Sequence, residues 1–257
     1  MADDGRLVVL EGTMNFRDIG GYAAGEGRVV RRGQVFRADA LSRLTTADHG
    51  VLAGLGLKVA YDLRRSREVE AAPDLLPDSV ERVWLPMADD DPAEPREIIE
   101  LVLSGELAEV KAELMADIYA SMLDDHSDVF GTLFEGLSDG SRRPAVFHCT
   151  AGKDRTGMAA ALLLDLVGVD EETILDDYPL TNRYRSQRRV AELRPQLESA
   201  GVDVDMVLPL LTAPREVMEF ALAHLSDEYG SAERYLVGAA GVERGVIERL
   251  RAGLLTT

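Results

Sequence analysis

Residues 144–157 read Pro144-Ala-Val-Phe-His-Cys149-Thr-Ala-Gly-Lys-Asp-Arg155-Thr-Gly157: a short apolar run, a loop, and the start of a second apolar run that continues to Val167. Pro144 to Phe147 has the length and side chains of a strand, and Thr156 to Val167 the length of a helix. A strand entering a tight loop that opens onto a helix is the repeating unit of an α/β sheet. At such a helix start the backbone N–H groups have no partner within the helix, and the helix dipole favours negative charge. The loop is therefore built as a phosphate cradle.

Cys149 is the chain's only cysteine, and Arg155 follows it at the spacing Cys-x5-Arg. A free thiol ionises near about 8.5 and is a weak nucleophile at neutral pH. Thiols at helix N-termini beside cationic side chains ionise far more readily, at roughly 3.5 to 7.5. The setting of Cys149, with Lys153 and Arg155 nearby, suits a thiolate nucleophile. Thr150, Ala151, Gly152 and Lys153 supply the cradle, and the planar guanidinium of Arg155 matches two phosphate oxygens in a way that lysine cannot. Two rival readings fail. A nucleotide-binding Walker A loop needs Gly at 147 and Ser or Thr at 154, where the chain has Phe147 and Asp154. A zinc site needs more than one cysteine and four scattered histidines. No metal and no cofactor is expected.

Working outward, β-branched runs at Arg28–Val30, Val35–Arg37, Lys58–Asp62, Arg82–Leu85 and Ala145–His148 read as strands. Thr45 and Asp48 fit a capping box ahead of a helix through Val51, Leu52 and Leu55. Residues 107–138 hold two further helices, with Leu114, Ile118 and Met122 on one face and Val129, Leu133 and Leu137 on the next. Thr156–Val167 is apolar nearly all round, so it belongs at the centre and stops at Gly168. The expected fold is α/β, a mainly parallel central sheet flanked by helices, with additional C-terminal helices at 182–200, 214–229 and 241–251. Ligands of parallel sheets sit beyond the strand C-termini. That rule puts Asp62 and Arg64 at the same edge as Cys149, either supporting the loop, touching substrate, or forming an ordinary surface ion pair.

The chain has 257 residues, and neither a repeat nor a low-complexity linker divides it, so a single domain over 1–257 is expected. Residues 86–97, with three Asp and three Pro, read as a loop. The polar start lacks a signal-peptide core, and no apolar stretch approaches the roughly 20 residues of a membrane span. A lone cysteine suits a reducing cytoplasm, although export without a classical signal leaves no mark in such a sequence. A net charge of −18 argues against nucleic acid. Basic residues nevertheless gather at Arg142, Arg143, Lys153 and Arg155, and again at Arg183, Arg185, Arg188, Arg189 and Arg194. The second group reads as a solvated helix face or as a rim that captures anions.

The stretch His148 to Thr156 resembles the signature of the cysteine-dependent protein tyrosine phosphatases, His-Cys-x5-Arg followed by Ser or Thr. Asn15-Phe-Arg-Asp-Ile-Gly-Gly-Tyr22, Asp62-Leu-Arg64 with Glu68 following, and Gly-Lys-Asp-Arg inside the loop narrow it. Together they are similar to the bacterial tyrosine phosphatases of the mycobacterial phosphatase B type, over roughly residues 10 to 185. The resemblance implies a phosphatase-like fold and hydrolysis of phosphotyrosine, with phosphoserine, phosphothreonine and phosphoinositides as further substrates, through a cysteinyl-phosphate on Cys149. It implies that Thr156 assists the second step and that Asp154 is the general acid, with Asp89, Asp90 and Asp91 as the alternative. It allows 182–257 to act as a lid over the pocket, where plain scaffold helices are the other reading. A monomer acting on a phosphorylated protein or lipid is expected. The alternatives are a catalytically silent phosphate-binding module, or another reactive-cysteine enzyme such as a rhodanese or arsenate reductase.

Overall fold

The computed structural model describes residues 5–87 and 98–256. One five-stranded sheet runs in the order β1-β2-β5-β3-β4. Its strands are β1 (Arg17–Asp18), β2 (Val35–Ala38), β3 (Val59–Asp62), β4 (Glu81–Trp84) and β5 (Ala145–His148). Only β1 is antiparallel to its neighbour. The rest are parallel, and the register sets Ala38 and Asp62 on either side of His148. Four strand expectations hold. Arg28–Val30 instead makes only isolated bridges, Val29 to Ala23 and Val30 to Leu255. Glycines with left-handed backbone at 27 and 33 turn the chain on both sides before a ladder can grow.

Alternation along the strands separates two apolar layers. Val35, Val59, Tyr61, Ala145 and Phe147 face the larger one. Phe36, Ala38, Ala60 and Val146 face a smaller one completed by Phe16, Leu41, Leu44 and Leu52. Leu52 comes from α1 (Thr46–Gly54), whose capping box closes as expected between Thr45 and Asp48. Val51, on the expected stripe, is exposed. After β3 comes α2 (Ser66–Ala71); α3 (Ile98–Leu103), α4 (Ala112–Asp125) and α5 (Ser127–Ser138) precede β5. The buried face of α4 is Met115, Tyr119 and Leu123, one step round from the expected stripe, whose residues pack at its flank.

The helix after the loop is α6 (Asp154–Leu166), with ten of its residues buried. Leu162, Leu163, Leu164 and Leu166, each worth about 1.5–3 kcal/mol when buried, hold it in the core. Gly168, at φ +84°, ends it as a left-handed cap. Then follow α7 (Glu171–Asp177), a wide turn at 182–186 leading into α8 (Gln187–Ser199), α9 (Leu208–Leu211), α10 (Arg215–His224), α11 (Ala232–Gly238) and α12 (Arg244–Leu254). Among the described residues no helix is long and apolar enough to cross a membrane.

Candidate active site

Cys149 directly follows β5, the central strand, and is 1% exposed. Beyond it the chain turns at Gly152, whose φ is +61° and where a Cβ would lie 2.6 Å from the Ala38 carbonyl oxygen. Only glycine fits both demands. The Gly152 carbonyl points backwards, accepting from Asn15 Nδ2 at 3.1 Å and Arg37 Nη2 at 2.9 Å. With that oxygen turned into the scaffold, the N–H of the same peptide, on Lys153, is turned the opposite way. Asn15, from one of the segments that carry the resemblance, thus supports the loop. Asp39 holds the Asn15 backbone in place, accepting from its N–H at 3.0 Å and from the Thr13 hydroxyl.

Arg37 and Arg17 converge on buried Asp177, at 2.9 and 3.3 Å, with Arg6 at 3.6 Å. Burial alone would raise the Asp177 carboxyl, but the three arginines outweigh it and keep it below the usual carboxylate range. Burial in turn pulls the Arg17 guanidinium down to about 10, with neighbouring Arg37 adding to the effect.

Arg155 is anchored from the side of α2. Glu68 accepts from its Nη1 at 2.6 Å and Nη2 at 2.8 Å, and the Leu63 carbonyl accepts from Nη1 at 3.2 Å. Those bonds use three of the five guanidinium N–H groups, and the side-on edge, Nε with one N–H of Nη2, has no hydrogen-bond partner among the described residues. Burial acts against the charge on Arg155, yet the bonds to Glu68 outweigh it and raise its pKa above the ordinary arginine value. Burial likewise acts against the Glu68 charge, but the bonds from Arg155 and from the Thr150 hydroxyl bring its carboxyl down to about 2.

Asp62 and Arg64 form a fully buried pair, 0% and 1% exposed, not a surface pair. Arg64 Nε and Nη2 both reach Asp62 at 2.8 Å, and Nη2 also reaches Asp74 at 2.7 Å. Four of the five Arg64 N–H groups are bonded inside the protein, to Asp62, Ala72 and Asp74, a geometry that fits support of the strand ends beneath the loop. His148 Nε2 lies 3.2 Å from Asp74. Asp62, Asp74 and His148 bring ligand-type atoms within 4.8 Å of one another. Arg64 and Arg82, both bonded to Asp62, already match the charge of that cluster.

Lys153 is buried, and its ammonium donates to the carbonyls of Leu210 at 2.8 Å and Thr212 at 2.9 Å at the end of α9, with Asp154 Oδ1 at 3.1 Å. Asp154 Oδ1 also accepts from the Tyr119 hydroxyl at 2.9 Å, and Tyr119 meets Tyr178 at 2.7 Å. The Thr156 hydroxyl is buried without a hydrogen-bond partner among the described residues. Asp89, Asp90 and Asp91 lie outside the described residues. Of the basic groups, Arg142 and Arg143 precede β5 and so stand at the far end of that strand from Cys149. Arg188 and Arg189 pair with Glu192, and Arg194 with Glu198, on exposed α8, whereas Arg185 lies 3.5 Å from Asp39.

The parts that the sequence did not single out include Arg37, Asp39, Asp74, Tyr119, Asp177 and Tyr178. Arg37 is a buried charge in an apolar run, and that contrast was its one available signal, whereas Asp177 follows Asp176 and offered none.

Comparison with known proteins agrees with the loop. Residues 8–256 match the tyrosine phosphatase family. The chain is 31% identical to the triple specificity protein phosphatase PtpB of Mycobacterium tuberculosis, covering 96% of this chain and 98% of that protein. It is also 31% identical to a tyrosine-protein phosphatase of Nostoc commune, over 83% of this chain and 71% of that one. The solved catalytic core of Siw14 aligns over 91% of this chain and 96% of its own, at a TM-score of 0.41 and 12% identity. Silent binding modules, rhodaneses and arsenate reductases give way to the main reading: this chain belongs to the tyrosine phosphatase family.

Proposed function

We propose that this phosphatase works through a covalent phosphocysteine, and that the loop between β5 and α6 is its active site. The observation that carries the reading is Arg155, clamped by Glu68 so that one edge of its guanidinium is left to a ligand on the loop that begins with Cys149. In the first step the Cys149 thiolate forms an S–P bond as the P–O bond to the leaving group breaks, and the leaving oxygen takes a proton from Asp154. In the second, water attacks phosphorus, its proton passes to Asp154, and the S–P bond breaks to return thiolate and release phosphate. The loop amides from Thr150 to Lys153 and the free edge of Arg155 hold the equatorial oxygens throughout. Thr156 assists the second step with its otherwise unpaired hydroxyl. Neither step calls for a metal.

The mycobacterial relative bears triple specificity in its name, and we extend such breadth to this chain: phosphotyrosine first, then phosphoserine, phosphothreonine and phosphoinositides. The end of α9 meets the loop at Lys153, and the segment 182–257 that contains it is the candidate lid of a single-domain monomer. A lone thiol fits a reducing, cytoplasmic setting. The deciding experiment is acid quenching during turnover of a phosphotyrosine peptide labelled at phosphorus. Label should be trapped on Cys149, and turnover with no trapped label under single-turnover conditions would rule out the covalent route.

A further inference from the structure

We propose that Tyr119, backed by Tyr178, is a positioning residue that fixes which oxygen of Asp154 carries the catalytic proton. The inference rests on Asp154 being the general acid.

The directions of the hydrogen bonds follow from their chemistry. A phenol has one proton, and Asp154 Oδ1 accepts both when the carboxyl is ionised and when its proton sits on Oδ2, so Tyr119 donates to Oδ1 at 2.9 Å. Its own oxygen must then accept from Tyr178 at 2.7 Å. Burial pushes both phenols well above their ordinary range, with the Asp154 charge adding to it, so neither surrenders its proton and the chain keeps one direction. The two rings meet edge to face at 6.1 Å, which holds both hydroxyls in line. Gly157 makes room: a Cβ there would lie 3.1 Å from the Tyr178 ring.

Oδ1 is therefore taken by Tyr119 and approached by the Lys153 ammonium at 3.1 Å. Oδ2 has no hydrogen bond among the described residues, and the side chain is 25% exposed. Two donors crowd one oxygen, so the acid proton belongs on the other, where a leaving group can take it. Tyr119 belongs to α4, far from the loop in sequence, yet it decides how Asp154 presents itself.

The test is a double-mutant cycle of Tyr119→Phe and Asp154→Asn, read on two substrates: a phosphotyrosine peptide, whose leaving group needs a proton, and a dinitrophenyl phosphate, whose leaving group does not. Tyr119→Phe should lower kcat on the peptide roughly tenfold, the size of one hydrogen bond to a charged group, with KM unchanged and less than about twofold loss on the activated ester. In the Asp154→Asn background the same change should do nothing further on the peptide, because there is no acid left to position. Equal losses on both substrates, or a loss that adds to that of Asp154→Asn, would make Tyr119 a packing residue and overturn the proposal. If Asp154→Asn alone shows no preference for the activated ester, the general-acid assignment falls and this inference falls with it. Should Tyr119→Phe fail to fold, Tyr178→Phe probes the same chain: a loss of about threefold on the peptide alone is expected, and wild-type values on both substrates count against it.

Discussion

The loop between β5 and α6 is gripped from two sides by different chemistry. On the α2 side the grip is ionic: Glu68 holds both terminal nitrogens of Arg155 and accepts from Thr150. On the α4 and α9 side Lys153 lies buried against backbone carbonyls, and Asp154 is met by a phenol. The loop thus carries two cations with different tasks. The charge of Lys153 is spent on carbonyl dipoles, where it ties the C-terminal helices to the loop. The charge of Arg155 is aimed by a carboxylate that leaves one edge of its fork open. Charge near a site is not the same as charge offered to a ligand, and the hydrogen-bond partners of each group decide which it is.

The strongest way to separate grip from chemistry is to remove the nucleophile and leave both sides intact. Cys149→Ser should lower turnover of any aryl phosphate by at least about 10⁴-fold while orthovanadate or phosphate still binds, measured by calorimetry. Turnover within tenfold of wild type would mean that Cys149 is not the attacking group. Next in size is Arg155→Lys, which keeps the charge but loses the fork. A loss on the order of 100-fold in kcat is expected, comparable to deleting an oxyanion donor. Near-normal kinetics would show that the open edge of Arg155 does not face the phosphate.

The contrast between the two grips also marks what could be read from residues alone. Cys149, Gly152 and Arg155 were legible because a strand, a glycine turn and a helix start follow one another in ten residues, and local geometry does the rest. The strand at Lys58–Asp62 was legible as a short run bounded by turns, and the central helix from continuous apolarity. What was hidden lies across long sequence separations. Glu68 stood within a recognised segment, but nothing local says that its carboxylate turns back to a residue 87 positions away. For Arg64 the residues alone left loop support, substrate contact and a surface ion pair open, and only the sheet shows it buried between Asp62 and Asp74. The two-residue β1 is too short and too charged to read as a strand, and it exists because Arg17 and Asp18 each find buried partners.

The ionic grip can be weakened without touching the guanidinium. Glu68→Gln keeps the shape but loses the charge that orients Arg155, and kcat should fall roughly tenfold, about the worth of one charge-assisted hydrogen bond. The same variant makes a statement about acid stability. Glu68 is brought from 4.5 to about 2 in the folded protein, so its ionised form contributes stability that is complete above 4.5 and is lost as pH falls through about 2. The gap in melting temperature between wild type and Glu68→Gln should therefore be widest near neutrality and close between those two values. A gap that stays constant across that window would mean that the loss on substitution is one of packing.

The smallest expected effect tests the arginines outside the grip. Arg188 and Arg189 share Glu192 on the exposed face of α8, with side chains 71% and 43% exposed, and surface pairs of this kind contribute about 0–1 kcal/mol. Reversing both to Glu should leave turnover of a phosphotyrosine peptide within about twofold of wild type and shift the melting temperature little. Among the described residues these side chains pair with Glu192 and not with the loop, so their charge reaches a substrate through screened solvent. A multiply charged headgroup would feel that field more strongly than a single phosphate. The informative measurement is therefore the ratio of phosphoinositide to phosphopeptide turnover at low and high salt. An unchanged ratio assigns α8 to solvation, whereas a selective loss on the phosphoinositide that disappears in high salt makes the helix a capture rim and brings a third, long-range source of charge to the site.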